Sequence, residues 1–300
     1  MSLLVVGTLA YDTIETPAGR AEEVLGGAAT YFSYAASFFG PVRLVGVVGE
    51  DFRKEDRALL ADRGVDLAGI SVAKGKSFRW SGRYEGDMNV AQTLDTQLNV
   101  LEQYRPKVPA SFRDSRFVFL ANSPPAIQES VIDQVAPGAL VVMDTMNLWI
   151  DTARADLARL LRRVDALFLN DQEARMVSGE PTLIRAGRAI LTLGPKVVIV
   201  KKGEHGAFLF SKDFFYAIPA YPLEVVTDPT GAGDTFAGGV MGYLAHAGKV
   251  DEAHWKRAML YGSVIASFTV EAFSLGRLRR IGREEVDARF RDLLRFTAPP

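Results

Sequence analysis

Short, unbroken apolar runs alternate along the chain with longer stretches whose apolar residues recur every three or four positions. The first pattern marks strands buried on both faces, and the second marks helices with one buried stripe. Leu3–Thr8, Arg43–Val48, Arg116–Ala121, Ala139–Asp144, Asp165–Asn170 and Lys196–Lys201 read as strands. Helices are predicted from the Gly26-Gly27 pair to about Phe39, and over Phe52–Arg63, Ala126–Val135, Thr152–Arg163, Asp171–Ser178, Leu183–Leu193, Phe236–Tyr243, Ala253–Phe273 and Glu284–Phe296. Gly64-Val65-Asp66 is read as a segment leading outward. Strands alternating with helices predict an α/β fold with a doubly wound, mostly parallel sheet. One stretch, about 70–100, breaks the rhythm: Phe78–Tyr84 alternates and Met88–Val100 is polar with scattered apolar residues, which predicts a small β-sheet projecting from the main body.

Composition narrows the class. Three hundred residues with 48% hydrophobic and 24% charged content fit one large α/β domain spanning 1–300. A net charge of −1 argues against nucleic acid and anionic membranes as partners, and no apolar run approaches the length of a membrane span. The chain has no cysteine, which excludes disulfides, thiol catalysis and Cys-bound zinc; its three histidines (His205, His246, His254) lack metal-ligand spacing. Ser2 leads straight into the first strand, without a signal peptide, so a cytoplasmic enzyme is expected.

The chemistry concentrates in Asp228-Pro229-Thr230-Gly231-Ala232-Gly233-Asp234-Thr235-Phe236. Proline and glycine make a turn, and Gly231-Ala232-Gly233 exposes backbone N–H groups at the start of a helix, where an anion is favoured. Asp234 places a carboxylate in that anion site. Its two readings are a helix N-cap and a general base for a hydroxyl attacking phosphorus. Gly238, Gly239 and Gly242 inside the helix each cost about 1 kcal/mol relative to alanine, which predicts close approach by another element or a ligand. Asp12 and Asn170-Asp171-Gln172-Glu173 follow strand ends, where α/β sheets bind ligands. Glu173 can equally be an ordinary first-turn acid. Gly75-Lys76-Ser77 imitates the end of a Walker A loop, but the spacing puts Ile70 where its first glycine is required.

Asp228–Met241 resembles the C-terminal signature of the ribokinase-like (PfkB) carbohydrate kinases, and Asn170–Glu173, Gly26-Gly27 and Asp12 follow the same pattern in order. The resemblance implies an ATP-dependent phosphotransferase acting on a hydroxyl of a sugar or polyol. It assigns the anion hole to Gly231, Ala232 and Gly233, the base to Asp234, and substrate contacts to Asp12, Gly26, Gly27 and Tyr31. Nucleotide contacts fall to Asn170, Lys201, Gly203 and Gly206, and Mg²⁺ to Glu173. It implies a lid made from about 13–24 and 70–100, a homodimer formed through that lid, and a monovalent cation such as K⁺ near Asp228 and Thr230. The Asp144-Thr145-Met146-Asn147 stretch resembles a pair of polar residues that the family has near the reacting centre. Tyr31 departs from the family's usual asparagine, which speaks against ribose and fructose and resembles the branch that contains inositol kinases. The alternatives are a nucleoside or vitamin kinase, with Tyr31 stacking on a base, and a non-catalytic sugar-binding protein.

Overall fold

A computed structural model describes residues 1–297. The strands in chain order are β1 (Leu3–Val6), β2 (Ala10–Thr16), β3 (Gly19–Gly26), β4 (Val42–Gly49), β5 (Val65–Ala73), β6 (Phe78–Tyr84), β7 (Ala91–Gln97), β8 (Phe117–Leu120), β9 (Leu140–Asp144), β10 (Ala166–Asn170), β11 (Val197–Lys201), β12 (Ala207–Ser211) and β13 (Phe215–Ile218). The helices are α1 (Ala28–Ala36), α2 (Lys54–Ala61), α3 (Pro125–Ile132), α4 (Asn147–Thr152), α5 (Arg154–Leu161), α6 (Asp171–Ser178), α7 (Leu183–Leu191), α8 (Ala232–Ala247), α9 (Glu252–Thr269) and α10 (Arg283–Thr297).

Among the described residues, nine strands form one sheet in the order β13-β12-β11-β10-β9-β8-β1-β4-β5. Every pairing from β11 through to β5 is parallel, and only the β11–β12 and β12–β13 pairs are antiparallel. The strands are apolar on both faces because both faces are covered. Leu3, Val5, Phe117 and Phe119 turn towards α1, α8, α9 and α10, while Leu4, Val6, Val118 and Leu120 turn towards α3, α5, α6 and α7. The doubly wound architecture is the one expected from the alternation of strands and helices.

The small sheet has the order β3-β2-β6-β7. Residues 70–73, grouped with it in the sequence reading, instead end β5, which pairs with β4 at the edge of the large sheet. Val65 therefore opens a strand, and the Gly64-Val65-Asp66 segment does not lead outward. The β12–β13 hairpin is a second addition, since the sequence reading ended the sheet at Lys201. No helix among the described residues is long and apolar enough to cross a membrane.

Gly238, Gly239 and Gly242 of α8 face protein. A Cβ on Gly238 would meet the Phe32 carbonyl oxygen at 2.4 Å, one on Gly239 the Gly262 Cα at 2.9 Å, and one on Gly242 the Ala36 Cα at 2.8 Å. They let α1 and α9 pack closely on α8, so they report helix contact and carry no information about a ligand.

Candidate active site

The turn before α8 is tied down from three sides. Asp228 Oδ1 accepts the Thr230 N–H at 2.9 Å, and the Thr227 and Asp228 N–H groups donate to the Val270 carbonyl at 2.8 and 3.3 Å. Thr16 of β2 donates its hydroxyl to the Thr227 carbonyl at 2.8 Å, and the Thr230 hydroxyl donates to Tyr84 of β6 at 3.3 Å. The small sheet is thereby fastened to the loop it overhangs.

Gly231 is the N-cap of α8, with φ +75° and ψ 0°. Asp234 is therefore the third residue of the helix and makes no side-chain cap, which removes the N-cap reading. Of the three amides expected to hold an anion, that of Ala232 already donates to the Pro229 carbonyl at 3.1 Å. Among the described residues, the Gly231 and Gly233 amides have no protein acceptor and are free for a ligand. Burial pushes the Asp234 carboxyl up to about 7, with nearby Asp144 raising it further and Lys201 acting against both.

Lys201, at the end of β11, is well covered and donates to Asp144 Oδ2 at 2.7 Å, at the end of β9. Its Nζ lies 3.1 Å from where a Cβ on Gly233 would sit, so the amine reaches the anion loop. Burial alone would lower the amine, but the Asp144 and Glu173 carboxylates more than offset this and hold it above its ordinary value. In sequence, Asp144 stood in a strand-end stretch resembling a polar pair near the family's reacting centre, without a role of its own; a lone acid closing an apolar run was the signal that could have assigned one.

Asp12, in β2, is almost fully buried. A Cβ on Gly26 would lie 1.9 Å from its Oδ2, so Gly26 clears space for this carboxylate. Burial pushes Asp12 up to about 7; the Gly27 N–H donates to it and opposes the rise, and the Asp228 and Asp234 charges add to it.

Tyr31 is 1% exposed, and its ring lies directly under Gly231, where a Cβ would sit 2.4 Å from Cγ and Cδ2. That face is covered by backbone, so the ring is not available to stack on a base. Its buried hydroxyl has no partner among the described residues and is held well above its ordinary pKa, chiefly by burial and then by Asp12 and Asp228.

On the β10 side, Asn170 Oδ1 accepts the Glu173 N–H at 2.8 Å and Glu173 Oε2 accepts the Asn170 N–H at 2.6 Å, a reciprocal capping box. Burial raises Glu173, while Lys201 opposes the rise. Gly203 and Gly206 lie in a closed turn in which Lys202 N–H donates to the Gly206 carbonyl at 2.8 Å. A Cβ on Gly206 would strike the Ile218 carbonyl oxygen at 2.0 Å, and one on Gly203 would lie 2.5 Å from Oδ1 of Asn89, at the β6–β7 turn. These two glycines thus have structural neighbours of their own.

A cleft of about 700 Å³ opens between the two sheets, with Asp12, Gly27, Thr230, Gly231 and Asp234 on one side. Phe78, Trp80 and Tyr84 of β6, Tyr104, Asn122 and Met146 from just past the ends of β8 and β9, and Trp149 of α4 also line it. The sequence reading had none of these aromatics as site residues; they come from three separated segments that only the fold assembles.

The family model for pfkB family carbohydrate kinases matches residues 2–278. The chain belongs to this family. The cytidine kinase of Thermococcus kodakarensis is 30% identical over 84% of this chain and 91% of its own length. The inositol 3-kinase of Arabidopsis thaliana is 25% identical over 96% of this chain and 80% of its own. The structure of the Burkholderia thailandensis nucleoside kinase in complex with ADP-inosine superposes with a TM-score of 0.80 at 21% identity, covering 100% of this chain and 97% of that one. These matches make the chain a carbohydrate or nucleoside kinase of the PfkB family with the ribokinase-like fold.

As a test of the expected metal, no group of three acids or histidines among the described residues could cage an ion. Mg²⁺ does not require one, because it keeps several waters and uses one or two carboxylates beside phosphate oxygens. Glu173, with one oxygen committed to its cap and the other outside it, fits that demand.

Proposed function

We propose that the protein is an ATP-dependent nucleoside kinase, phosphorylating a sugar hydroxyl of a bound nucleoside. The observation that carries the reading is the cleft: aromatic faces from Phe78, Trp80, Tyr104 and Trp149 share one cavity with the carboxylates of Asp12 and Asp234. Aromatic side chains stack on nucleobases at about 1–3 kcal/mol per base. A nucleobase offers such walls a flat aromatic face larger than the C–H patches that a free sugar or cyclitol presents. The sequence put a sugar or polyol first and a nucleoside second; the cleft and the cytidine kinase relative favour the reverse order.

In this mechanism Asp12 accepts hydrogen bonds from ribose hydroxyls beside Gly27. The reacting hydroxyl points at Asp234, whose carboxyl near 7 suits a base working at neutral pH. The free Gly231 and Gly233 amides and the Lys201 ammonium stabilise charge on the transferred phosphoryl group. Asp144 holds Lys201 in place by its 2.7 Å ion pair. Tyr84 and Trp80 cover the reacting atoms and keep water out, limiting ATP hydrolysis. Glu173 would hold Mg²⁺ through its waters, and the ion would neutralise phosphate charge. The nucleotide would lie along Asn170 and the Lys201–Gly206 turn. The outer face of the small sheet carries ion pairs, including Arg83–Glu15 at 2.7 Å and Arg79–Glu23 at 2.8 Å, so a homodimer through that sheet would use its edges or these charges.

The test is ATP turnover against a panel of ribonucleosides, ribose, fructose and myo-inositol. A nucleoside should have the highest kcat/KM by at least about tenfold, the equivalent of roughly one stacked base. A free sugar or inositol as best substrate would overturn the nucleoside reading.

A further inference from the structure

Asn122 lies just beyond the end of β8, on the cleft wall with Met146 and Trp149. Its Oδ1 accepts the Trp149 indole N–H at 2.9 Å. An indole nitrogen can only donate, so this contact fixes which end of the carboxamide is oxygen and which is nitrogen. Among the described residues the Nδ2 end has one partner, the Met146 sulfur at 3.0 Å. A thioether is a weak acceptor, and an amide NH₂ carries two N–H groups. Asn122 is half-buried, and it presents spare donor capacity among aromatic and apolar walls. A few placed polar groups on an otherwise apolar wall are what orient a ligand in such a site.

We infer that Asn122 reads the nucleobase: its NH₂ group, locked in orientation by Trp149, donates to a ring-nitrogen or carbonyl acceptor on the base edge. The inference rests on the nucleoside reading above and names the group that would select among bases. A base with an acceptor at that edge gains a hydrogen bond, and a base with a donor there meets a second donor. Trp149 serves Asn122 twice, as orienting partner and as part of the wall the base lies against.

The experiment pairs protein variants with base analogues. The parent, Asn122→Leu, Asn122→Asp and Trp149→Phe are assayed with the best nucleoside and with its deaza analogues, each lacking one ring-nitrogen acceptor, and its deoxo analogue, lacking the carbonyl. A neutral hydrogen bond predicts that the parent discriminates against one analogue by about three- to tenfold in kcat/KM. Asn122→Leu should abolish that discrimination, with the loss in KM rather than kcat. Asn122→Asp keeps the oxygen for Trp149 but has no donor, and should move preference towards bases with a donor at the same edge. Trp149→Phe should weaken the discrimination while calorimetric nucleoside binding stays measurable. Undiminished discrimination in Asn122→Leu would overturn the inference and leave the nucleoside reading standing. A parent that phosphorylates no nucleoside would overturn both.

Discussion

Gly231→Ala tests the turn at the head of α8. Gly231 has φ +75°, a left-handed conformation that costs an L-residue about 1–2 kcal/mol. The added Cβ would also sit 2.4 Å from Tyr31 Cγ and Cδ2. Tyr31 cannot retreat, because it is 1% exposed and built into the core between β1 and α8. Overpacking of this kind costs about 1–3 kcal/mol. Together the two effects predict a loss of about 2–5 kcal/mol, within the stability range of a folded domain. Gly233→Ala is the matched control: its φ is not positive, and its Cβ would meet only the end of Lys201, at 3.1 Å from Nζ. It should leave stability unchanged or raise it by up to about 1 kcal/mol, because alanine is the better helix former, while lowering kcat by displacing the amine. Urea unfolding followed by circular dichroism measures the first effect and ATP turnover the second. Adding Tyr31→Leu to Gly231→Ala should recover the packing part and leave the backbone part. A Gly231→Ala protein as stable as the Gly233→Ala protein would refute the reasoning.

Three further outcomes follow from the buried carboxylates. Asp12 and Asp234 sit near 7 in the folded protein against an ordinary 3.8, so between about pH 4 and 7 the folded state binds more protons than the unfolded. Stability should fall as pH rises through that window and level off above it; Asp12→Asn should flatten the slope, and a parent more resistant to urea at pH 8 than at pH 5 would contradict this. Catalysis runs the other way, since the base must be ionised: kcat/KM should rise about tenfold per pH unit below about 7, and a flat profile from pH 5.5 to 8.5 would remove Asp234 as the base. Glu173→Gln retains the capping box, which accepts glutamine at that position, but discharges the carboxylate; the fold should persist with a raised Mg²⁺ requirement, and an unchanged Mg²⁺ titration would take Glu173 out of the site.

The parallel sheet was legible because its strands are apolar on both faces and separated by helices with a clear stripe. Two parts were not. Val65–Ala73 mixes exposed and buried residues as an edge strand does, so its start was read as leading outward and residues 70–73 merged with the small sheet that follows. Ala207–Ser211 is short and sits directly after the Lys201–Gly206 turn, whose nucleotide-like composition masked the return strand. In the site, Asp234 and its glycines were readable because a carboxylate in an anion turn is a conflict that needs a reason. Lys201 was assigned to the nucleotide by the resemblance, but its burial was not readable, because it depends on Asp144 arriving from another strand. Tyr31 was taken as a substrate contact; it borders the cleft, but the packing of its ring beneath Gly231 had no signal in the sequence. The aromatic walls have no linear signature at all, since β6, the segment around Tyr104 and α4 meet only in three dimensions.

The central claim is that Asp234 takes the proton from the substrate hydroxyl, and Asp234→Asn tests it most directly. The substitution preserves size, disturbs no cap because Asp234 makes none, and removes a carboxylate that burial already disfavours, so the folded state should be at least as stable. Loss of a general base lowers the rate by about 10²–10⁴-fold. ATP affinity, measured by calorimetry, should hold or improve, because a negative charge beside the phosphate has gone. The account predicts that fall in kcat at saturating nucleoside and ATP, with nucleotide binding intact. Turnover within about twofold of the parent would contradict it.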